Sequence, residues 1–262
     1  MHPMERLRHV ARARLPDPGV VARESAAALA ALGDDGAGLL LSCRRLLERH
    51  PASGPLWWLC ARAVCADDAR AEAWRCAEEL DGDPTTGRLA LEVPDDATIA
   101  VVGWPEVAAG ALARRGDLRA LVVDGRGDGA ALARRLRAVD VDAVDVDDAG
   151  AAPAVAASDL VVLEAAALGP TAFVAAPGSW AAAAVAHHAG IPVWLVAGVG
   201  RSLPPGLWAA LSPWPAGGDP WTAAEEVVPL DLVDAVVRPG GLVALSGGTP
   251  LPADCSDVPE LL

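Results

Sequence analysis

From Thr98 onward the chain alternates short, uncharged apolar runs with helix-forming stretches, and this alternation restricts its fold more than any other feature. Residues 99–102, 121–123, 141–146, 160–163 and 193–196 read as strands. Between them lie helical patterns at 106–115 and 129–139, and a small-residue stretch ending at Ala157. Strands that are apolar throughout are buried on both faces, which requires a parallel sheet with helices on each side. Right-handed connections then give an α/β, Rossmann-like layered domain.

The preceding residues follow a different rule. Segments 22–32, 36–50, 55–65 and 69–80 carry apolar residues at three-to-four spacing among good helix formers. Pro55 suits a first helical position, and Asp67-Asp68 suits a helix cap. Residues 81–87 read as a connection. The expected organisation is a helical N-terminal domain over 1–93 and a Rossmann-like domain of nucleotide- or sugar-phosphate-binding type over 94–262.

A net charge of −14 over 262 residues argues against wrapping nucleic acid or an anionic membrane, since both need a basic patch. No lysine is present. A Schiff base and a P-loop grip on phosphate are therefore excluded. The five cysteines lack zinc-ligand spacing, and those at 43, 60, 65 and 76 fall in helical segments, where a free thiol packs as a small hydrophobe. A reduced, cytoplasmic protein with no metal and no cofactor is the expectation. The uncharged run 165–186 contains two glycines and two prolines among alanines, so it reads as a buried strand–turn–helix and not as a membrane span.

Two segments carry more than composition. Residues 159–197 run Asp-Leu-Val-Val-Leu-Glu-Ala-Ala-Ala-Leu-Gly, then Phe-Val-Ala-Ala-Pro-Gly-Ser-Trp, an alanine-rich helix, and Ile-Pro-Val-Trp-Leu-Val-Ala. Residues 225–242 run Glu-Glu-Val-Val-Pro-Leu-Asp-Leu-Val-Asp-Ala-Val-Val-Arg-Pro-Gly-Gly-Leu. Both resemble the family shared by the alpha, beta and delta subunits of translation initiation factor 2B, methylthioribose-1-phosphate isomerase and ribose-1,5-bisphosphate isomerase. There the first segment reads roughly D-L-V-L-V-G-A-D-A-I, then N-K-x-G-T/S-Y and G-V-P-F-Y-V-A. The second places an apolar helix after its proline. The resemblance implies a Rossmann-like fold, pairing through the sheet domain, and a phosphorylated sugar or nucleotide as ligand.

The framework matches while the chemistry departs. The isomerases place a cysteine after the first strand and an aspartate after the fourth, a pair that moves a proton between adjacent carbons. Here Val102, Gly103 and Trp104 stand at the end of the first strand where the family has threonine, histidine and the cysteine, and Ala166 stands at the aspartate position. Ala176-Pro177 replaces the Asn-Lys pair, and Asp35-Gly36-Ala37 replaces an early Arg-Gly-Ala that holds phosphate. A catalytically degenerate relative that binds or senses a nucleotide or sugar phosphate is the first reading. A phosphosugar isomerase using Glu164 and Asp124 as titrating groups is the second.

The candidate ligand set is Arg126, Gly127, Gly129, Gly178 and Ser179. Arg126 stands at a glycine-rich strand–helix turn where anions are favoured, though an exposed arginine there needs no ligand. Glu164 ends the fourth strand as a base, or as a cap on nearby backbone N–H groups. Asp148 reads as a cap for the third helix of this domain. Adjacent His187 and His188 point about 100° apart on a helix and do not form a metal pair. Apolar residues at 180–186 and 203–214, including Trp180, Trp208 and Trp214, suggest a homodimer.

Overall fold

The structure is a computed structural model that describes residues 18–32, 36–211, 219–245 and 251–262. Asp35 and Trp214 lie outside these residues. Helices α1 (Pro18–Ala30), α2 (Gly36–Arg49), α3 (Gly54–Cys65) and α4 (Ala69–Asp81) build the N-terminal bundle. Their apolar stripes bury Leu29, Leu46, Leu56, Trp58 and Cys76 in one core. Pro55 sits in the first turn of α3, and Asp68 caps α4 by accepting from the Ala71 N–H at 2.8 Å. Cys43, Cys60 and Cys76 pack into this core as expected, whereas Cys65 is exposed at the end of α3.

The stretch expected as a connection into the sheet contains a further helix, α5 (Thr85–Glu92). Asp83 starts it by accepting from the Thr85 N–H at 2.9 Å and from its hydroxyl, chemistry that reads as a turn in sequence.

A seven-stranded sheet follows, built from β1 (Thr98–Val102), β2 (Arg119–Val123), β3 (Asp142–Val146), β4 (Leu160–Glu164), β7 (Val193–Val196), β9 (Ala235–Arg238) and β10 (Gly241–Ala244). The spatial order is β10-β9-β7-β4-β1-β2-β3, parallel except for the β9–β10 hairpin. Layering on both faces is visible in the strand residues themselves. Ile99, Val101, Ala120 and Val122 pack with α6 (Glu106–Leu112) and α7 (Gly129–Arg137). Ala100, Val102, Leu121 and Val123 pack the other way, with α8 (Ala151–Ala156) and α9 (Ser179–Ala189). Period-two side-chain direction on doubly covered strands accounts for this split.

A small antiparallel sheet sits beside the large one: β5 (Ala167–Leu168), β6 (Ala172–Ala175) and β8 (Glu226–Pro229). The apolar helix expected after Pro229 is absent. A 3₁₀ turn, Leu230–Leu232, leads instead to β9, and Pro239-Gly240-Gly241 turns the chain into β10, with Gly241 at φ +119°. The β-branched pair Val236-Val237 pairs beside β7, and that burial overrides the helical spacing. Asp148 opens a 3₁₀ turn, and α8 begins from Gly150 without a side-chain cap.

Packing crosses the 93/94 boundary expected from the sequence. Leu89 and Val93 join the sheet core, while Val174, α10 (Pro205–Ala210) and Leu261 help fill the helical core.

Candidate functional site

The chain runs outward from β1 to β2 and β3, then crosses back to β4, so the strand order reverses between β1 and β4. Open α/β sheets gather ligands outside the carboxyl ends of their strands at such a reversal. A cleft of about 390 Å³ opens there. Its walls include Val102 at the end of β1 with Gly103 and Trp104 beyond it, Gly125 and Arg126 after β2, Glu164 and Ala166 at the end of β4, and Pro177 and Ser179 at the start of α9.

Glycines let these loops converge. Gly103 and Gly178 hold φ of +67° and +95°, values that carry a side chain only with strain. A Cβ on Gly125 would stand 3.1 Å from the Pro177 carbonyl oxygen and 3.3 Å from the Gly103 Cα.

Each carboxylate at the strand ends has a defined position. Glu164 lies under the cleft, its side chain 9% exposed. One oxygen accepts from the N–H groups of Val107 (2.9 Å) and Ala108 (3.1 Å) at the start of α6, and the other lies 3.0 Å from Arg201 Nη1. Arg201 also donates to the Ala165 carbonyl. Asp124 turns back on its own loop. Its Oδ1 accepts from Gly127 N–H at 2.6 Å and from Arg126 and Gly129 N–H at 3.2 Å each. Burial pushes its pKa up, but the N–H groups of Gly129, Gly127, Arg126 and Asp128 outweigh that and hold it below the ordinary carboxylate value.

Two further acids were not singled out as site residues from the sequence. Pairing of β6 with β8 sets Ala175 opposite Glu226 and brings the 225–226 pair to the start of α9. Glu226 Oε1 accepts from the Trp180 N–H at 2.6 Å. Burial raises its pKa, and the backbone N–H groups of Trp180, Gly178 and Ser179 pull it partly back. Glu225 lines the cleft, and burial raises its pKa against the opposing pull of Arg126. Among the described residues no N–H or O–H donates to Glu225. In sequence the two are visible only as the opening Glu-Glu of the 225–242 segment.

Of the residues proposed from sequence, Arg126, Glu164 and Ser179 line the cleft together. Asp124, Gly127, Gly129 and Gly178 shape the turns behind it. Arg126 donates to the Thr222 carbonyl at 3.1 Å and faces Glu225. Trp104 forms one wall, with Nε1 donating to Glu106 at 2.8 Å and the Arg135 guanidinium 5.6 Å from its ring centroid. His187 and His188 are exposed on α9. Among the described residues no group of three metal-ligating side chains gathers, and no helix is long and apolar enough to cross a membrane.

No family model and no curated protein matches this sequence. Solved structures do. Translation initiation factor 2B from Pyrococcus horikoshii superposes with a TM-score of 0.78 at 16% identity, over 93% of this chain and 97% of that one. The beta subunit from Chaetomium thermophilum gives 0.68 at 15% identity over 92% and 86% of the two chains. The delta subunit from A. fulgidus gives 0.60 at 15% identity over 94% and 88%. Nearly the whole chain therefore has the fold of the initiation factor 2B subunits, as the two segments at 159–197 and 225–242 suggested. At this identity the likeness speaks to fold.

Proposed function

We propose that the protein uses this fold to bind a small polar metabolite in the cleft without isomerising it. One observation carries the reading: the strand-end carboxylates that could move a proton are already engaged by the folded chain. Glu164 bridges α6 and Arg201, and Asp124 closes its own turn. The positions that carry the proton-moving pair in the isomerases hold Trp104 and Ala166 here, and both line the cleft. The ligand class implied by the resemblance is a nucleotide or sugar phosphate, which supplies a polyhydroxy body as the starting point. Arg126 supports a ligand that presents hydrogen-bond acceptors. The isomerase reading needs Glu164 or Asp124 to exchange protons with a substrate and draws less support from their geometry.

The test pairs turnover with binding. Methylthioribose 1-phosphate and ribose 1,5-bisphosphate should pass through unchanged. At least one compound in a thermal-shift panel of sugars, nucleosides and their phosphates should raise the melting temperature, since a ligand of the folded state alone stabilises it. Interconversion at enzyme-like rates would sink the proposal, and so would a panel with no effect.

The same reading places the protein in the cytoplasm as a homodimer. Its tetrameric Chaetomium thermophilum neighbour is a beta2-delta2 complex. Leu203, Leu207 and Leu211 are covered internally, and Trp208 packs over Gly169, so those residues do not drive pairing. Trp180, half exposed at the start of α9, remains available. Sedimentation at micromolar concentration should give twice the mass of one chain; a single-chain species removes the dimer.

A further inference from the structure

We propose that the cleft selects an uncharged polyhydroxy ligand and discriminates against its phosphorylated counterpart. This rests on reading the cleft as a ligand site. Phosphates are held at such sheet edges by clustered backbone N–H groups at turns and helix starts. Among the described residues, carboxylates of the chain itself already occupy three such places around the cleft. Glu164 takes the N–H groups of Val107 and Ala108. Asp124 takes those of Arg126, Gly127 and Gly129. Glu226 takes that of Trp180 at the start of the eleven-residue α9. A phosphate would have to displace a tethered anion, then sit beside it.

The lining charges point the same way. Arg201 is committed to Glu164, and Arg135 outside the cleft answers Glu106 at 3.2 Å. Among the lining side chains that leaves Arg126 against the two carboxylates of Glu225 and Asp128, so the remaining balance is negative. Like charges in a partly buried site oppose an incoming dianion.

Glu225 adds the positive half of the argument. It is a half-buried carboxylate on the cleft wall, with Arg126 as its charged neighbour and no hydrogen-bond donor among the described residues. A partly desolvated acceptor gains from a ligand that donates to it. A phosphate dianion carries only acceptors. A diol satisfies both neighbours, one hydroxyl donating to Glu225 and another accepting from an Arg126 N–H. Val102, Trp104, Pro105 and Pro177 provide apolar wall for the C–H face of a sugar or the body of a base. A volume of about 390 Å³ admits a ligand of that size.

The experiment uses matched pairs on the full chain: ribose against ribose phosphate, and adenosine against its monophosphate, each titrated by calorimetry at neutral pH. The neutral member of at least one pair should bind at least about tenfold more tightly than its phosphorylated partner, a preference of about 1.4 kcal/mol. Replacing Glu225→Leu should weaken the neutral ligand by a similar factor while the unliganded protein melts no lower than wild type. Glu226→Gln, which removes a charge and keeps an acceptor for α9, should narrow the preference. Tighter or equal binding of the phosphorylated members overturns this inference and leaves the ligand-site reading standing. Silence from all four compounds overturns the inference, and silence from the wider panel as well removes the ligand site itself.

Discussion

Arg201→Met should lower the unfolding free energy by about 3–5 kcal/mol, the range for removing one partner of a buried ion pair. Arg201 is 4% exposed, and its guanidinium answers both the Glu164 carboxylate and the Ala165 carbonyl at the end of β4. Methionine fills much of the same space, so the loss comes from leaving Glu164 charged, buried and short of a donor. For a chain of this size the melting temperature should fall by roughly 10 °C. Adding Glu164→Gln to the Arg201→Met variant should recover at least about 1 kcal/mol, because the amide carries no charge yet still accepts from the start of α6. Urea unfolding reads both. A single-variant loss below about 1 kcal/mol would mean that water reaches the pair and that Glu164 is not held as described.

That pair also marks where sequence reading stopped. Glu164 was legible as a strand-end carboxylate because β4 is an unbroken apolar run and the glutamate is its last residue. Arg201 was not, because it belongs to no motif and arrives through the loop after β7, 37 positions on in the numbering. The parallel sheet was legible from the doubly apolar strands, whose composition leaves no other burial. The hairpin of β9 and β10 was not. Val233, Val236 and Val237 satisfy a helical spacing as well as a strand, and only the neighbouring β7 edge decides. Glu225 and Glu226 were visible as the opening pair of the 225–242 segment. Which helix start they meet depends on β6 pairing antiparallel with β8, a long-range register that local propensity does not encode. The site's framework was thus readable from local signals, whereas its electrostatics arise from contacts between distant segments.

Trp58→Ala should cost about 3–5 kcal/mol, the range for truncating a large aromatic in a packed core. Trp58 is the largest fully buried side chain of the helical bundle, with the Arg62 guanidinium 5.0 Å from its ring centroid. Its other neighbour comes from the sheet side. Gly200 holds φ +74°, and a Cβ there would stand 2.8 Å from the ring, so the loop after β7 packs its backbone directly on the indole. The same loop carries Arg201. Gly54 on α3 tightens this seam, its N–H donating to the Ala166 carbonyl at 2.9 Å where a Cβ would meet the same oxygen at 2.8 Å. An alanine at position 58 therefore leaves a void that the bundle alone cannot close, and it loosens the segment that positions Arg201 under the cleft. Two consequences separate this account from a simple core defect. Unfolding should stay a single transition at lower denaturant, because the tryptophan belongs to both halves of the seam. The double variant Trp58→Ala with Arg201→Met should lose at least about 0.5 kcal/mol less than the sum of the two single losses, since both act through one loop. Strict additivity would show that the bundle and the cleft are held independently.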